Sequence, residues 1–279
     1  MQDIQKINNQ KGGESDSFNK FSKGLRGLGL LAAWLEDLFF PKFCLGCQKE
    51  GAYLCGDCRH LLDISEFNYC LCDRPAKLLT TQENRLPGKC SKCQDKKLSG
   101  LYFALSYKDN SLTQKLIYQF KYQPYLKDLA KTLASILIEH FVLAKNNTDE
   151  IWENSVLIPV PIHIKKLRER GYNQSEELAK ELSKVLNVPV VSNVLVKTKS
   201  TKPQMELKKE EREKNLENAF EINPVRNGIS NGVKNLFLNK KVFLVDDVYT
   251  TGSTMNECTL ILRNSGAKSV WGIAVAREE

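Results

Sequence analysis

KKVFLVDDVYTTGST, Lys240 to Thr254, runs in order through an apolar stretch, two acids, a loop of small residues and the start of a helix. VFLV is the continuous apolar run expected of a strand buried on both faces of a parallel sheet. Asp246 and Asp247 follow at its carboxyl end, where open α/β sheets place their ligands. From Tyr249 to Thr254, small side chains and Gly252 let successive backbone N–H groups converge on a phosphate, and the hydroxyls add donors. A helix predicted over Met255 to Asn264 contributes its positive N-terminal end. Two adjacent carboxylates would repel a bare phosphate, but they are good acceptors for sugar hydroxyls. The stretch therefore reads as a sugar-phosphate loop on a parallel α/β sheet.

The flanking sequence supplies the rest of such a sheet. YFALSY (102–107), SVLIPVPI (155–162), VVSNVLVK (190–197), AFEI (219–222) and SVWGIAVA (269–276) are strand-like. Leu126, Leu129, Leu133, Ile136 and Leu137 recur at helical spacing, and Leu178, Leu182, Val185 and Leu186 mark a helix over Gln174 to Leu186. Strands alternate with helices from Gly100 onward, as a mainly parallel sheet requires. INPVRNGISNGVKN, Ile222 to Asn235, breaks the rhythm and reads as an inserted surface loop. The highly charged TKPQMELKKEEREKNLEN segment before it reads as a solvated helix or a mobile loop.

A length of 279 residues with 42% hydrophobic content allows one full domain and a smaller module. The net charge of +8, from 41 Lys+Arg against 33 Asp+Glu, suits polyanionic ligands. The first twenty residues are polar and lack the apolar core of a signal peptide, so a disordered tail is expected over residues 1–24. Leu28 to Phe40 is apolar but carries Glu36 and Asp37 and is too short to span a bilayer. It is expected to form an amphipathic helix packed on the protein.

Eight of the nine cysteines lie between Cys44 and Cys93 in close pairs, a usage that favours metal in a reducing cytosol over disulfides. Cys44-x-x-Cys47 and Cys55-x-x-Cys58 are two knuckles able to surround one tetrahedral Zn²⁺. Cys70, Cys72, Cys90 and Cys93 offer a second site, with Cys70 and Cys72 only two residues apart. One or two zincs fit this spacing, and sequential and interleaved pairings both satisfy it. Sites saturated by thiolate are structural and not catalytic. Cys258, in the helix after the loop, is expected to be a buried core residue.

Asp246 to Thr254 resembles the ribose-phosphate signature of the type I phosphoribosyltransferases. IPVPIHIKKLRERGYNQSEELAKEL (158–182) and KPQMELKKEEREKNLENAF (202–220) narrow this to a resemblance to the competence protein ComF family and its gluconate-utilisation relatives. The resemblance implies a Rossmann-like type I phosphoribosyltransferase fold over 99–279, with an insertion at 222–235. An apolar helix and a small N-terminal zinc-ribbon module, its metal held by four cysteines per site, would precede it over 25–98. It further implies that Asp246 and Asp247 contact the ribose 2- and 3-hydroxyls, and that Thr250, Thr251, Gly252, Ser253 and Thr254 hold the 5-phosphate. FKYQPY, Phe120 to Tyr125, matches the family's pyrophosphate-contacting loop, with Lys121 as its cation. Arg168 and Arg170, near Asn173 and Gln174, are placed to bind pyrophosphate or a substrate acid, or else belong to a general basic surface. Gln204, Arg212 and Asn215 match the flexible loop that closes over the substrate.

Two functions are compatible with these features. One is a pentosyl-transferring enzyme that binds 5-phosphoribosyl-1-pyrophosphate with Mg²⁺ and attaches the phosphoribosyl group to an acceptor that the signature does not specify. The other is an accessory protein of DNA uptake that retains the pocket and engages single-stranded DNA and the competence machinery. Both place the protein in the cytoplasm.

Overall fold

The computed structural model describes residues 39, 41–72, 77, 88–107, 111–145, 149–199, 218–223 and 237–278. The expected tail, nearly all of the apolar helix, the lid segment with Gln204, Arg212 and Asn215, and most of the 222–235 insertion lie outside the described residues. The chain divides into two compact units, Met1–Cys55 and Gly56–Glu279.

In the first unit, Phe43 and Glu50 form an antiparallel bridge around a tight turn. The turn is closed by Gln48 N–H donating to Cys44 O at 2.9 Å and Cys44 N–H donating to Lys49 O at 2.9 Å. Gln48 adopts a φ of 64° inside it. Cys44 Sγ also accepts from the Cys55 N–H at 3.4 Å, which draws the two cysteine pairs together.

The second unit opens with the short helix α1 (Gly56–His60), and a 3₁₀ turn spans Ser91–Cys93. The α/β elements follow in order: β1 (Leu101–Ser106), α2 (Ser111–Lys121), α3 (Leu129–Leu143), α4 (Asp149–Trp152), β2 (Ser155–Pro159), α5 (Ile164–Arg170) and α6 (Gln174–Leu186). Then come β3 (Leu195–Lys197), β4 (Phe220–Ile222), β5 (Lys241–Tyr249), α7 (Ser253–Asn264) and β6 (Ser269–Arg277). Strand order in the main sheet is β1-β6-β5-β2, all parallel. β5 lies between β6 and β2, and its Val242, Phe243, Leu244 and Val245 are buried, as an apolar run in a two-sided parallel sheet should be.

The helices form where their apolar spacing predicts. Leu129, Leu133, Ile136 and Leu137 of α3 are fully buried, whereas Leu126 precedes the helix. α6 has the expected bounds because Asn173 caps its start, its side chain accepting from the Ser175 N–H, and Asn187 ends it in the left-handed region at φ 54°. Leu178, Ala179 and Leu182 form its buried face; Val185, near the C-terminal end, is exposed.

One expected strand assignment changes. VVSNVLVK and AFEI do not extend the parallel sheet with full strands: β3 and β4 form a separate antiparallel pair, with Val196 opposite Glu221. Val190 meets the main sheet through an isolated parallel bridge to Leu157. The reason is physical. Leu195 and Phe220 are buried while Glu221 is exposed, a one-sided pattern that suits a half-solvated antiparallel pair.

His140 of α3 is buried, and its Nδ1 lies 2.7 Å from Ser65 O, holding the segment before β1 to the helix. Burial lowers its pKa below the ordinary 6.5, although the bond to Ser65 works in the opposite direction. The unfolded chain then binds the extra proton, so His140 erodes stability as pH falls through 6.5. Replacing His140 by Phe is expected to cost about 1–3 kcal/mol at pH 8, since Ser65 O loses its partner. That cost should shrink at pH 5. Denaturant unfolding at the two pH values checks this; an equal cost at both would contradict it.

Candidate functional site

The end of β5 gathers the chemistry. Asp247 is 2% exposed, and Asp246 is half-buried beside it. Asp246 Oδ1 accepts from the Ser175 hydroxyl at 3.0 Å and from the Asp247 N–H at 2.9 Å. Asp247 Oδ1 accepts from the Val248 N–H at 2.7 Å and pairs with Lys121 Nζ at 2.8 Å. Asp247 Oδ2 is buried with no hydrogen-bond partner among the described residues. A buried carboxylate oxygen without a donor is costly in a finished structure. In a binding site it is a vacant acceptor, suited to a sugar hydroxyl or to a hard cation carried by a ligand.

Lys121, the last residue of α2, reaches this point because Tyr172 anchors the end of the helix. The buried Tyr172 hydroxyl donates to Phe120 O at 2.6 Å, and the two rings lie 5.9 Å apart. Ser175 is aimed by the cap of α6, where the Asn173 side chain also donates to Val160 O at 3.0 Å just beyond β2. The GYNQS stretch thus reaches both acids: Ser175 bonds Asp246 directly, and Tyr172 acts on Asp247 through the helix end that carries Lys121.

Charge in this cluster is unevenly shared. Burial, and next the neighbouring Asp247, push the Asp246 carboxyl up to about 7, against the opposing pull of Lys121 and of its hydrogen bonds. Burial alone would lower Lys121, but Asp247 and Asp246 outweigh it and the ammonium is held above its ordinary value. Lys197 of β3 is lowered to about 8 by burial and then by repulsion from Lys166, with Asp246 acting the other way. Its Nζ lies 5.3 Å from the centre of the Phe220 ring.

The expected phosphate residues surround the N-terminus of α7. Gly252 has φ 78°, and a Cβ there would come within 2.3 Å of the Tyr249 hydroxyl, so only glycine fits. Thr251 Oγ1 and Ser253 Oγ lie 2.6 Å apart, and the Ser253 N–H donates to Thr251 Oγ1 at 3.4 Å. Thr250 and Thr254 flank them, both half-buried. Cys258, one turn further along α7, is fully buried, and burial raises its thiol far above the usual range. That suits core packing and not nucleophilic chemistry.

Arg168 and Arg170 lie in the last turn of α5. Arg168 is exposed, while Arg170 donates to Gln174 Oε1. Neither joins the hydrogen bonds of the acid pair among the described residues. Ser175 and Tyr172 support the acid pair and Lys121, and sequence reasoning missed both.

The cysteines form two quartets, Cys44/Cys47/Cys55/Cys58 and Cys70/Cys72/Cys90/Cys93, in each of which all sulfurs lie within 4.8 Å of one another. A tetrahedral zinc with Zn–S bonds of about 2.3 Å requires sulfurs about 3.8 Å apart. The observed separations are 3.5 Å for Cys47–Cys55, 3.6 Å for Cys72–Cys90 and 3.7 Å for Cys90–Cys93. Both quartets fit structural zinc, the pairing is sequential, and the short Cys70-x-Cys72 spacing is accommodated.

A family model for the phosphoribosyl transferase domain matches residues 172–278. The chain is 38% identical over 163 residues to competence protein F of Haemophilus influenzae, covering 58% of this chain and 67% of that protein. It is 28% identical over 228 residues to the DNA utilization protein YhgH of Escherichia coli O6:H1, covering 78% of this chain and 93% of that protein. A phosphoribosylpyrophosphate synthetase from Mycobacterium smegmatis is a structural neighbour at TM-score 0.28 and 19% identity, over 53% of this chain and 33% of that one. The α/β unit is a Rossmann-like, type I phosphoribosyltransferase domain, accompanied by zinc-ribbon sites of four cysteines each. The chain belongs to the competence protein F (ComF) family. No helix among the described residues is long and apolar enough to cross a membrane.

The raised Asp246 carboxyl carries a stability cost with a definite sign. The folded group keeps its proton up to about 7, whereas an ordinary carboxyl releases it near 3.8. Stability therefore falls as pH rises between those values, and the penalty is complete above about 7. Asp246→Asn is expected to raise the melting temperature at pH 8 and to raise it less at pH 5. Scanning calorimetry tests this; an equal gain at both values would mean that the carboxyl titrates normally.

Proposed function

We propose that this chain binds 5-phosphoribosyl-1-pyrophosphate as its Mg²⁺ complex and transfers the phosphoribosyl group to an acceptor, in the service of DNA uptake or DNA utilisation. One observation carries the reading. A buried pair of carboxylates, with Asp247 Oδ2 lacking a partner among the described residues, stands beside a phosphate loop whose glycine admits no side chain. In this reading the acids accept from the ribose 2- and 3-hydroxyls. The N–H groups and hydroxyls of Thr250 to Thr254 hold the 5-phosphate at the positive end of α7.

Lys121 pairs with Asp247 at 2.8 Å. On binding it would exchange that carboxylate for pyrophosphate oxygens, freeing Asp247 for the sugar. Arg168 and Arg170, near the same end of the sheet, would assist with the leaving group or a substrate acid. Transfer breaks the bond between C1 and the pyrophosphate oxygen and forms one from C1 to the acceptor, with the electron pair leaving on pyrophosphate. Mg²⁺ brought with the ligand would supply positive charge beside the pyrophosphate, where Lys121 would already stand. The protein's part is positioning and electrostatic stabilisation of a positively charged sugar carbon. The competence and DNA-utilisation roles named for the two relatives support the biological context.

A second reading has its own observation. Tyr118 of α2 and Tyr122, the residue just after the helix, are 55% and 39% exposed with ring centroids 4.9 Å apart, and they flank Lys121 in sequence. An exposed aromatic pair flanking a cation is the kind of platform on which single-stranded DNA stacks, and the net charge of +8 favours it.

Replacing Asp246 and Asp247 together by Ala is expected to weaken phosphoribosyl pyrophosphate binding more than about tenfold, equivalent to about 1.4 kcal/mol. Calorimetry with Mg²⁺ present measures it, and unchanged affinity would sink the reading. For the second reading, Tyr118→Ala with Tyr122→Ala should weaken oligonucleotide binding by about 1–3 kcal/mol per stacked base. Binding by the wild type should also decline as salt rises. Salt-independent binding that ignores both tyrosines would exclude this platform.

A further inference from the structure

Arg277 closes β6 and is 2% exposed, a rare position for a guanidinium. Burying that charge requires partners, and among its contacts are groups in two different places. Its Nη1 donates to Cys70 O at 2.8 Å, and its Nη2 donates to Cys72 O. These carbonyls belong to two of the four cysteines of the second quartet, so Arg277 fixes the backbone of the metal knuckle directly behind its thiolates. Its guanidinium carbon lies over two rings, 5.5 Å from the centroids of Phe103 and of Tyr249.

Tyr249 leads to the phosphate loop. It is the last residue of β5 and sits directly opposite Arg277 in the sheet register. Its hydroxyl occupies the space beside Gly252 that a Cβ would need. The two strand ends are also tied by the Glu278 N–H donating to Tyr249 O at 2.9 Å. One side chain therefore holds the Cys70–Cys72 knuckle through two hydrogen bonds and lies over the ring of Tyr249, which fills the space beside Gly252.

A Cys-x-Cys pair brings its sulfurs close with little regular turn behind them, and without metal the thiolates gain nothing by staying together. If the knuckle opens, Arg277 loses two charge-assisted acceptors in a dry environment. Losing those two acceptors loosens the hold on the guanidinium, and Tyr249, whose ring lies 5.5 Å from it, loosens with it.

We infer that Arg277 is a positioning residue that makes the geometry of the phosphate loop depend on metal occupancy of the Cys70/Cys72/Cys90/Cys93 quartet. Zinc in the second quartet then does more than fold its own loop: it holds the Gly252 turn in its ligand-ready form. By linkage, a ligand on the loop tightens zinc by the same factor that zinc tightens the ligand.

Hydrogen exchange in the full chain, without any ligand, tests this independently of the proposed function. Peptides over 249–256 are compared with peptides over 242–245, which report the sheet itself. In the wild type, removing zinc with a chelator should speed exchange at 249–256 by about tenfold or more, the size of effect common for groups that support metal ligands. With zinc bound, Arg277→Met should already show the fast loop over a protected sheet, chelation should add nothing, and Arg277→Lys should fall between. Cys47→Ser, which disturbs only the first quartet, should leave the loop slow. Zinc loss followed with a chromogenic dye should be slowed by phosphoribosyl pyrophosphate with Mg²⁺ in the wild type and not in Arg277→Met.

Loop protection that survives zinc removal would overturn the inference. So would a zinc-loaded Arg277→Met in which 249–256 and 242–245 stay equally slow. If chelation unfolds the sheet as well, the zinc-loaded Arg277→Met decides by the same comparison. A protein that shows linked exchange but binds no phosphoribosyl pyrophosphate would refute the function proposed above and leave this linkage standing.

Discussion

Two carboxylates adjacent in sequence, at the end of a strand buried on both faces, repel one another in a place where water can screen little of the repulsion. Much of the second unit around them is arranged to keep that pair in place. The sheet supplies the position, because β5 is enclosed by β6 and β2 and must deliver whatever follows its apolar run to the carboxyl edge. Compensation arrives from both sides: Lys121 at the end of α2, Ser175 at the start of α6, and the chain's own N–H groups at 247 and 248. It is incomplete. Asp246 remains raised to about 7 and Asp247 keeps a buried oxygen without a donor among the described residues. A fold selected for stability alone would place apolar side chains there. Retaining the strain makes sense where a ligand supplies the missing partners.

How far this is visible in the sequence depends on the range of the interaction. β5, the acids, the loop and α7 are legible because they are contiguous and each has a local cause: an apolar run, a glycine forced to positive φ, hydroxyls at a helix start. α6 is legible to the residue because Asn173 and Asn187 bound it. Lys121 is marked only by resemblance, since a lysine at a helix end has no periodicity that points to an aspartate far along the chain. Ser175, Tyr172 and Arg277 are harder still. Each acts through one hydrogen bond or ring contact to a distant segment, and a single contact leaves no pattern. The β3–β4 pair is misassigned to the main sheet for a related reason: three-residue strands are too short for alternation to distinguish an edge from a separate sheet.

The cysteines show a different limit. Their spacing announces metal sites but leaves the pairing open, because a tetrahedral site constrains distances between sulfurs and not the order of the chain between them. Proximity in the folded chain selects the sequential arrangement, with separations of 3.5 Å, 3.6 Å and 3.7 Å between neighbouring sulfurs. The irregular Cys70-x-Cys72 pair is the one whose backbone carbonyls are held by Arg277. A knuckle short of internal turn bonds gains most from an external donor, which gives the irregularity a physical compensation within the same unit.

The balance of charge at the site follows from the same geometry. Two acids act on Lys121, while Lys197 of β3 is depressed to about 8 by burial. In the proposed function, a phosphorylated sugar would bring several negative charges to a place that already holds two carboxylates, so attraction by net charge would not explain its binding. Acids and phosphates would then have to be kept on separate partners: hydroxyls for the carboxylates, N–H groups and the helix end for the 5-phosphate, and Lys121 with a ligand-borne cation for the pyrophosphate. That separation demands a rigid loop, because a small shift would bring phosphate oxygens toward Asp246. Rigidity in the loop comes from Gly252 packed on Tyr249, and Tyr249 is packed in turn on Arg277. Under the proposed function, the tolerance of the acid pair for a phosphorylated ligand would thus rest on a side chain that makes no described contact with the pair.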